Sequence, residues 1–246
     1  MIEQSVAVPT PDGTAEGTLF IPDSGTARPG VLYFVDIVGV RPANLSMAHR
    51  LAEQGYTVLV PNLFYRTSKL PVFDFPVQFG DDRTTKRIGE LSAPLTPDAM
   101  ERDASAYADF LAASDHVAPG AMGVVGFCFS GSMAMRAAAA RPDRIAAVAS
   151  FHGGRLCTDQ PTSPHRELPR IKARLYFGHA VDDKSMPAEQ ISKFEAALKA
   201  WGGRYQSEIY EGALHGWTVP GGHVYNHQQA ERAFEKLIQL FAETLK

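Results

Sequence analysis

Three kinds of side chain in this sequence can do chemistry together. They are a thiol at Cys128, an imidazole at His215 and a carboxylate in the pair Asp182-Asp183. The segment Val124-Val-Gly-Phe-Cys-Phe-Ser-Gly131 runs from an apolar strand pattern into a small–x–nucleophile–x–small pattern and then into a helix pattern. Nucleophilic attack needs that arrangement, because the side chain must stand clear of the sheet on a tight, strained turn. Gly126 and Ser130 are the small residues that let strand and helix approach. A helix starting at the nucleophile favours a thiolate and an oxyanion through its N-terminal partial charge. The amide of the following residue, Phe129, is then expected to donate to that oxyanion. A second frame, Cys128-Phe-Ser-Gly-Ser132, centres on Ser130 and makes the chain a serine carboxylesterase. It requires Gly126 inside the strand, where glycine is unfavourable, so the Cys128 frame is preferred.

His215 lies in Glu211-Gly-Ala-Leu-His-Gly216, after the last strand pattern, and is expected to act as general base. Asp182 and Asp183 follow the strand pattern before it. One carboxylate there can hold the imidazole in the useful tautomer and stabilise its charged form. Adjacent side chains point in different directions, so at most one of the two is expected to do so. The order nucleophile, acid, histidine, each after a different strand, is that of an α/β-hydrolase.

These residues need a scaffold. Residues 4–9 and 16–21 alternate as a hairpin around Pro11-Asp12-Gly13. Apolar strand patterns follow at 30–35, 56–60, 121–126, 145–150, 174–177 and 205–210. Helical patterns intervene at 43–54, 97–113, 130–141 and 187–201, and an amphipathic helix over 228–245 ends the series. About eight strands and five helices in alternation predict an α/β-hydrolase fold, a mainly parallel sheet with helices on both faces. Ligands of such sheets bind beyond the carboxyl ends of the strands. Residues 64–96 break the rhythm with Pro, Gly, charge and aromatics, and are expected to form a cap-like insertion in a single domain spanning 1–246.

With these residues placed, the chain resembles the dienelactone hydrolase family over nearly its whole length. Gly126-Phe-Cys-Phe-Ser-Gly131 is similar to that family's G-x-C-x-G-G, with Ser130 in place of a glycine. Asp183 stands four residues before Pro187, as in the family's D-x-x-x-P loop, and His215-Gly216 matches its histidine loop. The resemblance therefore implies a triad of Cys128, Asp183 and His215. It also implies an oxyanion hole from the amides of Ile37 and Phe129. Asp36 replaces the family's glutamate, which in the family contacts the resting thiol, and so implies a supporting carboxylate. The dienelactone-specific members hold a substrate carboxylate with arginines, one shortly after the catalytic histidine. Here His215 is followed by Gly-Trp-Thr-Val-Pro220, without one. Arg66, Arg83 or Arg87 could supply a charge from the 64–96 segment. The expected pocket lining is Tyr65, Arg66 and Phe79 with His152 and Trp217, the last as an apolar wall.

Composition narrows the alternatives. The 246 residues carry a net charge of −3, 45% hydrophobic and 21% charged residues. No basic stripe appears, so nucleic acid and anionic membranes are not expected partners. No run of 18 apolar residues is present to span a membrane, and the N-terminus does not read as a signal peptide. Two cysteines make no disulfide framework, which points to a cytoplasmic setting. No H-E-x-x-H or paired C-x-x-C predicts a metal, and no G-x-G-x-x-G opens a helix for a dinucleotide, so no cofactor is expected. The expected partner is a small-molecule ester or lactone, handled by a monomer or weak homodimer. A non-catalytic small-molecule-binding protein on the same fold is the reading from another class.

Overall fold

The computed structural model describes residues 1–245. The order of elements is β1 (Ile2–Thr10), β2 (Gly13–Ile21), β3 (Gly30–Phe34), α1 (Pro42–Glu53), β4 (Thr57–Pro61), α2 (Asp82–Ser92) and α3 (Pro97–Ala112). Then come β5 (Met122–Phe127), α4 (Ser130–Ala140), β6 (Ile145–Phe151), β7 (Arg174–Ala180), α5 (Ala188–Trp201), β8 (Tyr205–Tyr210) and α6 (His227–Thr244). A short 3-10 helix over Pro164–Arg170 precedes β7.

All eight strands join one sheet in the order β1-β2-β4-β3-β5-β6-β7-β8. β2 pairs antiparallel with both β1 and β4, and every pairing from β4 to β8 is parallel. The central strands β3, β4 and β5 are buried along their whole length, as their unbroken apolar runs require. Helices cover both faces. Along β5 successive residues point to opposite sides. A Cβ at Gly123 would meet Phe241 of α6, whereas one at Gly126 would meet the backbone of Ser130 at the start of α4.

From β3 the chain first steps outward to β4, then returns to place β5 on the other side of β3. The strand order therefore reverses between β3 and β5. Loops leaving those two strands diverge, and a crevice opens between them. Ile37 follows β3 and Cys128 follows β5, so both stand at this crevice.

Two differences from the sequence reading concern 64–96. A sixth helix, α2, lies within it, capped by the Asp81 carboxylate, which accepts the Thr84 amide at 2.6 Å. Its few buried residues, Thr84 and Leu91, give no apolar stripe for pattern reading to find. The start of the segment is also tied down rather than lying over the strand ends. Tyr65 donates to Asp103 of α3 at 2.8 Å, and Arg66 binds both Asp103 and Asp12 at 2.6 Å.

Candidate active site

Cys128 opens the two-residue turn between β5 and α4 with φ of 59°. A non-glycine residue pays roughly 1–2 kcal/mol for that left-handed backbone. The strain persists because the turn is fixed on every side. The Cys128 amide donates to the Phe151 carbonyl at 3.2 Å and to Nδ1 of His152 at 3.1 Å. The Cys128 carbonyl accepts the amides of Gly131 and Gly154. Gly126 is required here, because a Cβ would lie 2.3 Å from the Ser130 carbonyl oxygen.

Ser130, the alternative nucleophile, is fully buried at 0% exposure. Its hydroxyl accepts the Phe127 amide at 2.9 Å and lies 2.9 Å from the carbonyl oxygens of Phe34 and Phe127. It bolts the Cys128 turn to β3 and has no open face toward the cleft.

Nδ1–H of His215 donates to Oδ2 of Asp183 at 2.7 Å. Oδ1 of the same carboxylate accepts the Ser185 amide at 2.8 Å and the Ser185 hydroxyl at 2.6 Å. Asp183 is buried and Asp182 is exposed, so the structure separates the two candidates. Burial would raise the Asp183 pKa, but the bonds and charge of His215 and the bonds from Ser185 hold it below the usual carboxylate range. Burial would likewise lower the His215 pKa. Hydrogen bonds to Asp183 and Cys128, with the negative charge of both, outweigh it and push His215 up to about 10. The imidazolium form is therefore favoured beside the Asp183 carboxylate.

Two backbone amides next to the site, those of Ile37, which lines the cleft, and of Phe129, which follows Cys128, lack protein partners. Neither the Ile37 nor the Phe129 N–H donates to a protein group among the described residues. Unpaired amides beside a nucleophile can accept a developing oxyanion.

His152, which follows β6, is 1% exposed and lies between the rings of His215 and Trp217, 5.1 Å from each. Since Nδ1 accepts the Cys128 amide, the proton sits on Nε2, which donates to Oγ1 of Thr218 at 2.8 Å. Burial, and the neighbouring charge of His215, hold its pKa well below the ordinary histidine value. It is a neutral strut under the Cys128 turn.

Cys128, His152 and His215 line one cleft of about 610 Å³. Asp36, Ile37, Phe79 and the 219–224 loop complete it. Other expected contributors lie elsewhere. Tyr65 and Arg66 do not reach the cleft, because their polar ends are consumed by Asp103, Asp12 and Thr10. Trp217 is no wall, being 0% exposed and stacked on Tyr210 with ring centres 4.9 Å apart. Asp36 does not support the thiol. Its two oxygens accept NH1 and NH2 of Arg41, each at 2.7 Å, and Oδ1 also accepts the Val38 amide. The shorter aspartate side chain turns back on its own loop. Sequence reading missed Ser185, Thr218 and Arg41. Ser185, two residues after Asp183, carried a legible Asx-turn signal; the other two are ordinary polar residues in loops. Among the described residues no three of His, Cys, Asp or Glu are grouped to hold a metal ion, and no helix is long and apolar enough to cross a membrane.

Comparison with known proteins points one way. The profile of the dienelactone hydrolase family matches residues 15–245. A carboxymethylenebutenolidase of Rhodococcus opacus is 27% identical over 231 residues, covering 91% of this chain and 84% of that protein. A candidate carboxymethylenebutenolidase of Synechocystis is 25% identical over 244 residues, covering 98% and 96%. The crystal structure of a candidate dienelactone hydrolase from Klebsiella pneumoniae superposes with a TM-score of 0.87 at 19% identity, covering 98% of each chain.

Proposed function

This chain belongs to the dienelactone hydrolase family, and on that premise we propose that it cleaves an ester or lactone by acyl transfer through Cys128, His215 and Asp183. The observation that carries the reading is the strained thiol at φ 59° sharing one cleft with an imidazole that Asp183 holds at 2.7 Å.

The steps follow from the atoms. The Cys128 thiolate attacks the carbonyl carbon, and the C=O electron pair moves to oxygen. The amides of Ile37 and Phe129 receive that oxyanion, each worth about 3 kcal/mol in typical sites. As the tetrahedral centre collapses, Nε2–H of His215 protonates the leaving alkoxide. A thioester on Cys128 remains. The neutral imidazole then takes a proton from water, whose oxygen attacks the thioester carbon. Collapse releases the acid and regenerates the thiolate–imidazolium pair. Asp183 keeps Nδ1–H of His215 pointed inward through both halves. Residues 64–96 take part as a partial cover, through Phe79 at the cleft mouth. Both cysteines are free, which supports the cytoplasm as the compartment.

The test is chemical. One equivalent of iodoacetamide should abolish hydrolysis of p-nitrophenyl acetate, with the label on Cys128, and Cys128→Ala should be inactive. Turnover unchanged by Cys128→Ala would overturn the proposal.

A further inference from the structure

The lining of the cleft speaks to what it binds, and this inference rests on the acyl-transfer reading above. Apart from the reacting groups, the apolar walls are Ile37, Val38, Pro42, Val219, Pro220 and Val224, with Phe79 at 62% exposure at the mouth, and the exposed His223 also lines the cleft. One guanidinium reaches the cleft, that of Arg41. Both of its terminal nitrogens are engaged. NH1 and NH2 hold Oδ1 and Oδ2 of Asp36 at 2.7 Å each, and NH1 also donates to Asn44 Oδ1 at 2.7 Å and to the Gly39 carbonyl at 3.1 Å. The His215 charge is shared between Asp183 and Cys128.

The other cations near in sequence are committed or turned elsewhere. Arg66 pairs with Asp12 and Asp103, Arg83 with Asp74, and Arg87 with Glu90. Arg155 lines a separate cavity beside α4 and α5 that has no lining residue in common with the cleft. A substrate carboxylate would therefore enter an apolar cleft, meet the Asp36 carboxylate, and find its one guanidinium already bidentate. A desolvated anion without a partner is strongly disfavoured.

We propose that the substrate is a neutral ester or lactone with an apolar acyl group, and that the Asp36–Arg41 pair screens out anionic ones. Asp36 and Arg41 are thus specificity residues, set by a pairing five residues apart in one loop.

The experiment compares p-nitrophenyl hexanoate with mono-p-nitrophenyl adipate, which has the same six-carbon acyl chain ending in a carboxylate. The expected kcat/KM ratio in the wild type is about 100-fold in favour of hexanoate, after division by the alkaline hydrolysis rates. Asp36→Asn releases the Arg41 guanidinium, and the ratio should narrow about tenfold through faster adipate turnover. Because both substrates use the same nucleophile and amides, general damage to the loop cancels in the ratio. Equal or preferred adipate turnover in the wild type would overturn the substrate class, whether or not the variant folds. An unchanged ratio in a folded Asp36→Asn variant would overturn the role of the pair. Loss of the catalytic reading itself has a different signature, namely hydrolysis of both esters that survives Cys128→Ala.

Discussion

Nδ1 of His152 accepts the backbone amide of Cys128 at 3.1 Å, so the turn that carries the thiol rests on a buried imidazole from the neighbouring strand. His152 itself has φ of 42°, and two left-handed residues therefore face each other at adjacent strand ends. The contact fixes where the sulfur points without touching the reacting carbon. His152→Phe removes the acceptor and should lower kcat about 10-fold with little change in KM, because the Phe151 carbonyl still holds the amide. His152→Asn, which keeps an acceptor oxygen, should recover part of that loss. Thr218→Val strands the Nε2–H of His152 and should cost about 1–3 kcal/mol in urea unfolding.

Asp183→Asn should fold normally, since the amide preserves the shape and one acceptor for Ser185. It should reduce kcat by about 10⁴, because the asparagine no longer selects the Nδ1–H tautomer of His215. Single-turnover kinetics would locate the loss in acylation. A loss below tenfold would show that Asp183 does not orient the imidazole.

The charge state of His215 gives a pH signature. Its pKa is raised from 6.5 to about 10 in the folded chain. A group raised on folding contributes its stability fully below the unfolded value and loses it as pH rises through the folded one. Wild type should therefore lose stability relative to His215→Gln between pH 6.5 and 10. Asp183 is lowered on folding, so its contribution is present at neutral pH and fades as pH falls through its folded value. Urea titrations at pH 7 and pH 10, with NMR titration of the imidazole, read the His215 effect, and urea titrations carried from pH 7 into acid read that of Asp183.

Gly126→Ala should be among the most damaging single changes outside Cys128, Asp183 and His215. The new Cβ would sit 2.3 Å from one backbone atom and 2.6 Å from another, both in Ser130. Backbone on both sides of the turn cannot yield as a flexible side chain can. We expect a cost of about 3 kcal/mol and loss of Cys128 alkylation by one equivalent of iodoacetamide. Gly89→Ala, with open space around its Cβ, is the control and should be close to neutral or stabilising.

What sequence could show follows from how local each signal is. The strand-to-helix turn at Cys128 was legible because strand, small residues and helix lie within eight consecutive positions. The succession of strands along the chain was legible because buried parallel strands are unbroken apolar runs. Tyr65 and Arg66 misled for a physical reason. An aromatic and a guanidinium read the same whether they face a cleft or an ion pair, and their partner Asp103 is 37 residues from Arg66. Trp217 misled because proximity to His215 in the chain does not fix the side chain's direction; the turn sends it inward onto Tyr210. Asp36 was placed correctly in the chain, but its orientation depends on Arg41, whose reach no spacing rule reveals.

The reversal of strand order between β3 and β5 divides the cleft into parts of different ancestry within the fold. Its floor is built from the ends of deeply set strands, where any change of volume is felt through the whole interior. Its sides come from the loops around 36–43 and 219–224, which sit on the outside and share no strand. Insertions or exchanges there can reshape what is admitted while the reacting atoms keep their places. A protein built this way can change diet without rebuilding its machinery.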